Sequence, residues 1–493
     1  MSSTISHQTP SEQTGKAGRP AWQVLLGILI VGIAIRCVVY CCFDFSRLYI
    51  EDEQDYNELA MSLEESGLYA IQGELTSIRP PLWPWVLSHL CGPEGFDGQK
   101  NARLLAELFQ LGVLILTTLG VYGLARELDG IVSRKGAYLA AAVFFLYPSF
   151  VGETFLQLTE PLFTLFLVLV LWTAVRFFRT GSLWAISFCG VFIALGALTR
   201  SILWMSPIPF ALFILLFATG SWKRRAAAAG LLVLFAGCVM APWMIRNTRL
   251  QKTTTAIDCM SGRNLMMGNY EYTPLYRAWI HVSDPQKYWN KVLEKDYFEK
   301  HHEVMWLENT QGQVDKLAGD YAKRYILAHP GQTFQRDCVK ALCFWQLERS
   351  LPAGVYRGYW GWEDTSPTTR RNGMLAVNAL IQPVYCCLFL SAIFGVFSVF
   401  RRGPENLQRN VILGFLLCVV VYFWSIHSLI FAHERYHLPV VPIMILFAIL
   451  FWQNRHENIL LMRRSPLGGL ACVIGLAFVF FWCAEILIMA KVW

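Results

Sequence analysis

The chain has 493 residues, 55% of them apolar or aromatic and 16% charged. Soluble domains carry roughly 25% charged residues, so a bilayer is the natural solvent for most of this chain. The formal charge of +7 calls for no nucleic-acid partner, because basic residues in short connecting loops account for the excess. The alternating segments of about ten residues that a transmembrane β-barrel requires are absent, and the expected fold class is an all-α polytopic membrane protein.

Residues 1–20, rich in Ser, Thr, Gln and Gly, read as a disordered cytoplasmic tail. The first apolar run, Trp22–Tyr40, is long enough to be retained as a span rather than removed as a signal. Spanning a hydrocarbon core about 30 Å thick takes about 20 helical residues. Further runs follow at Leu104–Ala125, Ala137–Phe150, Pro161–Phe178, Leu183–Leu198, Ile202–Thr219, Ala226–Met244, Met374–Phe400, Val411–Ala432, Leu438–Trp452 and Leu467–Ala490. The expectation is therefore about eleven spans, some of them short, above all Ala137–Phe150. They divide the chain into an N-terminal membrane region (21–244), a loop domain (245–373) and a C-terminal membrane region (374–493).

Short loops rich in Lys and Arg stay cytoplasmic. Arg126, Arg134, Lys135, Arg176, Arg179, Lys223, Arg224, Arg225, Arg401, Arg402, Arg409, Arg455, Arg463 and Arg464 all fall on one side by this alternation. The N-terminus is then inside and the C-terminus outside. Two long loops, Phe43–Asn101 and Ile245–Gly373, fall on the outer side. The first is acidic at its start and reads as a helix over Asp52–Ser66, stopped by Gly67. At 3.6 residues per turn Asp52, Asp55 and Tyr56 share one face and Glu53 projects away. Pro80, Pro81 and Pro84 then impose an extended turn carrying Arg79. The second loop is long enough to be a small domain, with helices expected over Asp284–His302 and Gln311–Ala328. Thr333–Leu347 is amphipathic and suited to lie along the membrane surface. The 14 cysteines are mostly in spans. Cys91, Cys259, Cys338 and Cys343 could supply a disulfide, but neither a disulfide framework nor a CxxC metal site is present.

Carboxylates at a membrane interface are costly and suggest function, which singles out Asp52-Glu53 and Glu160. Two plainer readings stand beside this: Glu160-Pro161 as a helix start, and Asp52 as an N-cap. Arg79, Arg200 and Arg435 lie on the side where the topology rule disfavours positive charge. A guanidinium fork at the interface suits a phosphate, although a single arginine there can equally snorkel to lipid headgroups. Arg36 could join them or snorkel. His433-Glu434-Arg435-Tyr436-His437 matches H-E-x-x-H, the zinc protease pattern. Pro439 two residues on disfavours helix at Leu438, so the helix should begin after the motif, and no metal ligand set is assigned. No Gly-rich phosphate loop follows a strand, so a lipid-linked phosphate fits better than a soluble nucleotide.

These residues resemble the GT-C membrane glycosyltransferases, particularly the branch of the aminoarabinose transferase and the protein O-mannosyltransferases. The resemblance rests on Asp52-Glu53-Gln54-Asp55-Tyr56, Gly67-Leu68-Tyr69, Ile78-Arg79-Pro80-Pro81, Leu158-Thr159-Glu160-Pro161, Ala241-Pro242-Trp243 with Arg246-Asn247, Gly262-Arg263-Asn264, and Glu434-Arg435-Tyr436 with Pro439 and Pro442. It implies a GT-C-like fold and transfer of a sugar from a polyprenyl-phosphate donor to a lipid, glycan or protein acceptor at the outer face of the plasma membrane, with inversion. By this resemblance Asp52 and Glu160 are the catalytic carboxylates, Asp52 as general base on, or orienting group for, the acceptor hydroxyl and Glu160 as the second acidic residue, orienting acceptor or sugar. Glu53, Asp55 and Tyr56 position acceptor or sugar, and Arg79, Arg200 and Arg435 bind the donor phosphate. Arg79 and Glu160 depart from the Lys and Asp of the aminoarabinose enzymes. This reading assigns no cofactor with certainty and leaves a divalent metal open. The alternatives are a lipid or sugar transporter or flippase and, further off, the zinc protease.

Overall fold

A computed structural model describes residues 21–91, 95–97, 99–276, 287–400 and 406–492. The tail at 1–20 and Arg401 and Arg402 of the basic loop lie outside the described residues. The chain opens on α1 (Ala21–Cys42), which exposes most of its apolar length. Its Arg36 does neither of the two things expected of it. It is 3% exposed and donates to Phe145 O at 3.0 Å and Thr154 Oγ1 at 2.8 Å, satisfying a carbonyl at the end of a neighbouring helix.

The first long loop begins with α2 (Glu51–Ser66), closed by Gly67 at φ 70°, the left-handed cap that glycine supplies without strain. A small hairpin follows, β1 (Ala70–Ile71) antiparallel to β2 (Glu74–Leu75), turning on Gln72 and Gly73, both at positive φ. The three prolines do not keep the chain extended: Pro81 caps a short helix, α3 (Leu82–Ser88), whose first turn accommodates Pro84 because a first-turn N–H has no helical partner.

α4 (Lys100–Glu127) is long. The run read as one span at Ala137–Phe150 is instead α5 (Arg134–Phe145) and α6 (Pro148–Glu153), divided where Pro148 has no N–H to give. Then come α7 (Glu160–Thr180), α8 (Leu183–Thr199), a 3-10 turn at Ser201–Met205, α9 (Pro207–Phe217) and α10 (Trp222–Gln251).

The second loop is helical: α11 (Ser261–Gly268), α12 (Trp289–His301), α13 (Met305–Glu308), α14 (Gln311–Ala328), α15 (Pro330–Cys343) and α16 (Ser350–Arg357). The part of the expected Asp284–His302 helix before residue 287 lies outside the described residues. Thr310 and Gln313 form a capping box at the start of α14. α11 packs on α14 so closely that a Cβ on Gly262 would stand 1.9 Å from Asp315 O, while the Asp315 carboxylate accepts from the Gly262 and Arg263 amides at 3.1 and 2.9 Å. Met266, Tyr270, Leu293, Val314, Ala318 and Ala322 fill the core of this domain.

α15 reverses the usual arrangement of an amphipathic helix. Arg336 and Lys340 face inward, 4% and 3% exposed, while Phe334 is 71% exposed. Inside, the charges meet backbone carbonyls and one carboxylate: Arg336 donates to Tyr270 O and Thr273 O at 2.9 and 2.6 Å, and Lys340 to Leu429 O at 3.0 Å while pairing with Asp337 at 2.8 Å.

The C-terminal region comprises α17 (Pro367–Val399), α18 (Leu407–Leu429), a 3-10 segment at Glu434–Val440, α19 (Val441–Gln453), α20 (Arg455–Arg464) and α21 (Pro466–Val492). α19 is the innermost of these, with every residue from Val441 to Phe451 buried.

Each of the eleven expected runs meets helix, but among the described residues only eight helical stretches are long and apolar enough to cross a membrane, α19 among them only when joined to the 3-10 segment before it as Glu434–Gln453. α5, α8 and α9 have 12, 17 and 11 residues, so at about 1.5 Å per residue they are shorter than a hydrocarbon core about 30 Å thick. None of the 14 cysteines is in a disulfide.

Candidate active site

The ends of α1, α8, α10 and α18 and the starts of α7 and of the 3-10 segment at Glu434 meet the two long loops at one end of the helical array. The candidate residues converge there. On α2, one turn of helix brings Asp52, Asp55 and Tyr56 to the same face, as the helical spacing requires. Arg79 sits opposite them and donates to Asp52 Oδ1 at 2.7 Å and to Asp55 Oδ2 at 2.9 and 2.7 Å through Nε and Nη2. Its guanidinium also lies over the Tyr56 ring at 5.6 Å. Arg435 bridges the loop to the membrane helices, paired to Asp52 Oδ2 through Nη2 and standing 3.3 Å from Glu160 through Nε. Arg200 completes the chain of charges at 2.5 Å from Glu160.

Asp52, Asp55 and Glu160 therefore face Arg79, Arg200 and Arg435 in one continuous array, three negative charges against three positive. The arginine side chains are each 19% exposed and Asp52 is 20% exposed, whereas Glu160 is 1% exposed. The array opens at Asp52 and the arginines and closes at Glu160.

Local structure explains the precision of this placement. Glu160 is the first residue of α7 and is followed by Pro161, where a carboxylate interacts favourably with the positive end of the helix. The helix-start reading and the site placement thus hold together. Asp52 is not an N-cap: Ile50 occupies that position. Burial would raise the Asp52 pKa, but Arg435 and Arg79 outweigh it and hold the carboxyl well below the usual range. Burial, only partly offset by Arg79, pushes the Tyr56 phenol up to about 12, so it keeps its proton at neutral pH. Arg200 is drawn upward despite its burial, because Glu160 favours the charged form.

Glu53 stands apart from this array. It is 0% exposed and spends Oε1 on the Gln157 amide at 2.8 Å and Oε2 on the Ile50 amide at 3.3 Å, with Arg103 3.8 Å away. It faces no open space. In this structure it joins the start of α2 to the strand of chain that leads into Glu160.

The His433–His437 motif does not form a helical ligand pair. The α-helix begins after it, at Val441, as Pro439 predicts. His437 is fully buried, with Nδ1 2.8 Å from Phe344 O and Nε2 3.0 Å from Glu348 Oε1. Glu434 accepts from Gln346 at 2.6 Å and Ser350 at 3.0 Å. Among the described residues no group of three or more His, Cys, Asp or Glu could hold a metal. The motif instead supplies Arg435 to the array.

Two buried acids near the array are not among the residues singled out from the sequence. Glu153 lines a cavity of about 20 Å³ with Ser149, Glu348, Ser350, Glu434 and Arg435, and burial first, then the neighbouring Glu160, raises its pKa well above the usual range. Asp258 accepts from the Met260 amide at 3.2 Å and is pushed up to about 6, chiefly by burial. A carboxylate inside the apolar stretch Phe150–Phe155 is a signal for the first. The second sits in an ordinary polar loop and carries none.

Fold and site together define a polytopic α-helical membrane protein with a charged site where its loops meet its spans. Residues 79–245 match the family described as dolichyl-phosphate-mannose-protein mannosyltransferase, a segment that includes Arg79, Glu160 and Arg200, so the resemblance to GT-C membrane glycosyltransferases is shown there. No curated protein matches the chain. Among similar solved structures, the apo oligosaccharyltransferase of Archaeoglobus fulgidus is 13% identical, covering 92% of this chain and 55% of that one, with a TM-score of 0.48. The archaeal oligosaccharyltransferase AglB from Archaeoglobus fulgidus, in complex with an inhibitory peptide and a dolichol-phosphate, is 14% identical over 93% of this chain and 55% of that chain, TM-score 0.44. ArnT from Cupriavidus metallidurans, bound to undecaprenyl phosphate, is 14% identical over 86% and 78%, TM-score 0.38. The chain spans about half the length of the archaeal structures it matches.

Proposed function

We propose that the protein transfers a sugar from a polyprenyl-phosphate donor to a hydroxyl of a lipid, glycan or protein acceptor at the extracytoplasmic face, with inversion. The observation that carries this is the array of three arginines and three carboxylates where loops meet membrane helices. A lipid-anchored donor presents its phosphate at that depth, and planar guanidinium forks match phosphate oxygens.

The charge count shapes the mechanism. Every arginine of the array is already neutralised by a carboxylate, so an incoming phosphodiester competes with Asp52, Asp55 and Glu160 for the guanidinium groups. Asp52 is a weak base while Arg435 and Arg79 hold it. Once the phosphate draws them off, burial acts with less opposition and the carboxyl pKa rises toward the working pH, where a general base is most effective. Asp52 then accepts the acceptor hydroxyl proton as the acceptor oxygen bonds to the anomeric carbon. The carbon–oxygen bond to phosphate breaks with its electron pair leaving on the phosphate, and the arginines stabilise the added charge. A single displacement of this kind inverts the anomeric carbon. Asp55 holds Arg79 in place, and Tyr56, still protonated, can donate to a sugar or acceptor oxygen.

The test is release of polyprenyl phosphate from a polyprenyl-phosphate sugar by purified protein. Asp52→Asn should slow it at least about 100-fold, the low end of general-base contributions. Full activity in that variant, or transport without sugar release in proteoliposomes, would overturn the reading.

A further inference from the structure

Arg200 hangs from a sharp turn between α8 and a 3-10 segment. At its edge Nη1 meets Glu160 at 2.5 Å and Thr159 Oγ1 at 3.4 Å. Two aromatic rings also lie against it. The guanidinium carbon stands 5.6 Å from the Tyr436 ring centre and 5.9 Å from that of Phe163. Tyr436 is itself stacked on His427, 4.3 Å apart with 18° between planes, and His427 on Phe344 at 5.6 Å and 23°. Phe163 in turn packs edge to face with Phe423 at 6.0 Å. The column draws on α7, α8, α18, the end of α15 and the 3-10 segment at Glu434, so no single element can tilt without disturbing it.

A planar guanidinium makes hydrogen bonds at its edge and stacks through its faces. The two are geometrically independent. If the donor phosphate takes the edge of Arg200 from Glu160, one of the exchanges the proposed function provides for, edge contacts alone would release the side chain at the moment of exchange. Aromatic faces attract a cation electrostatically whichever anion its edge is bonded to.

We propose that Tyr436, backed by His427, is a positioning residue of the donor site: its ring holds the Arg200 plane in place while the edge of that guanidinium passes from Glu160 to the donor phosphate. This role rests on the phosphate-binding reading of Arg200. It gives the tyrosine of the His433–His437 motif a task distinct from that of its neighbour Arg435, and it requires the ring rather than the hydroxyl.

The experiment compares Tyr436→Leu, Tyr436→Phe and Arg200→Gln in detergent-purified full-length protein, measuring donor KM and kcat separately together with binding of a short-chain polyprenyl phosphate. Loss of one cation–ring contact corresponds to roughly a 2- to 30-fold weakening. Tyr436→Leu should raise donor KM and weaken phosphate binding within that range with little change in kcat, and Tyr436→Phe should restore both. Tyr436→Leu with unchanged donor KM, or a Phe variant as impaired as Leu, overturns the role. Arg200→Gln separates this from the parent reading: normal donor affinity there overturns the phosphate assignment itself, whereas impaired affinity beside a normal Tyr436→Leu overturns only the column.

Discussion

Glu160→Gln is the most discriminating single change, because the charge array makes opposite demands on stability and on binding. Glu160 is 1% exposed and lies within 2.5 Å of Arg200 and 3.3 Å of Arg435. Removing its charge leaves Arg200 with no carboxylate partner, while Arg435 keeps Asp52. Breaking a buried pair from one side costs about 3–5 kcal/mol; a partner one-fifth exposed places the loss near or below the low end, about 2–3 kcal/mol once solvent screening is allowed for. Thermal unfolding in detergent should reveal that loss in the absence of ligand. A polyprenyl phosphate would then find an arginine with no competitor. Two unit charges about 4 Å apart at an effective dielectric near 20 interact by about 4 kcal/mol, and recovering even a third of that corresponds to about tenfold tighter binding. Titration calorimetry with a short-chain polyprenyl phosphate should therefore show a destabilised protein with about tenfold higher affinity, while turnover falls. Phosphate affinity that drops along with stability would refute the idea that the carboxylates compete with the donor for the arginines.

Asp258→Asn tests a pH effect. A carboxyl whose folded-state pKa rises from 3.8 to about 6 leaves the folded state binding the extra proton between those values, so its contribution to stability declines as pH climbs through that window and the penalty is complete above about pH 6. The Asn variant should lack that decline and be more stable at pH 7 by up to roughly 3 kcal/mol; parallel melting-temperature curves from pH 4 to 7 would rule this out. His437→Ala should lower the melting temperature, since it strips Glu348 of its imidazole partner, without changing zinc content. A stoichiometric zinc lost in that variant would return the motif to the metalloprotease reading.

Much of this architecture is legible in the residues, for identifiable physical reasons. Long apolar runs announce the spans, since nothing but helix satisfies their backbone in lipid, and Arg200 and Arg435 stand out because their positions contradict the charge rule of the other short loops. What the sequence hides is mostly direction. The pattern of α15 shows that it is amphipathic, but not that Arg336 and Lys340 turn inward, because the carbonyls that receive them come from residues far along the chain. Glu53 and Asp52 are adjacent and chemically alike. Only the helical period separates them, and the period says that Glu53 points elsewhere without saying that it meets the Gln157 amide. Arg36 could not be placed because its acceptors are the carbonyls of another helix end. The break between α5 and α6 was readable at Pro148, whereas the hairpin of β1 and β2 is too short for any periodicity to register.

The burial of α19 has a consequence for the site. This helix follows α5 and α17 in the chain, and both pack against it. The 3-10 segment at its head delivers Arg435 to Asp52, a partner 383 positions earlier. Without this segment Arg79 still has Asp52 and Asp55 as partners, but no Arg435 joins Asp52 to Glu160. The constellation can close only once α19 and the 3-10 segment at its head lie against α5 and α17, so closing the site depends on filling the centre of the bundle.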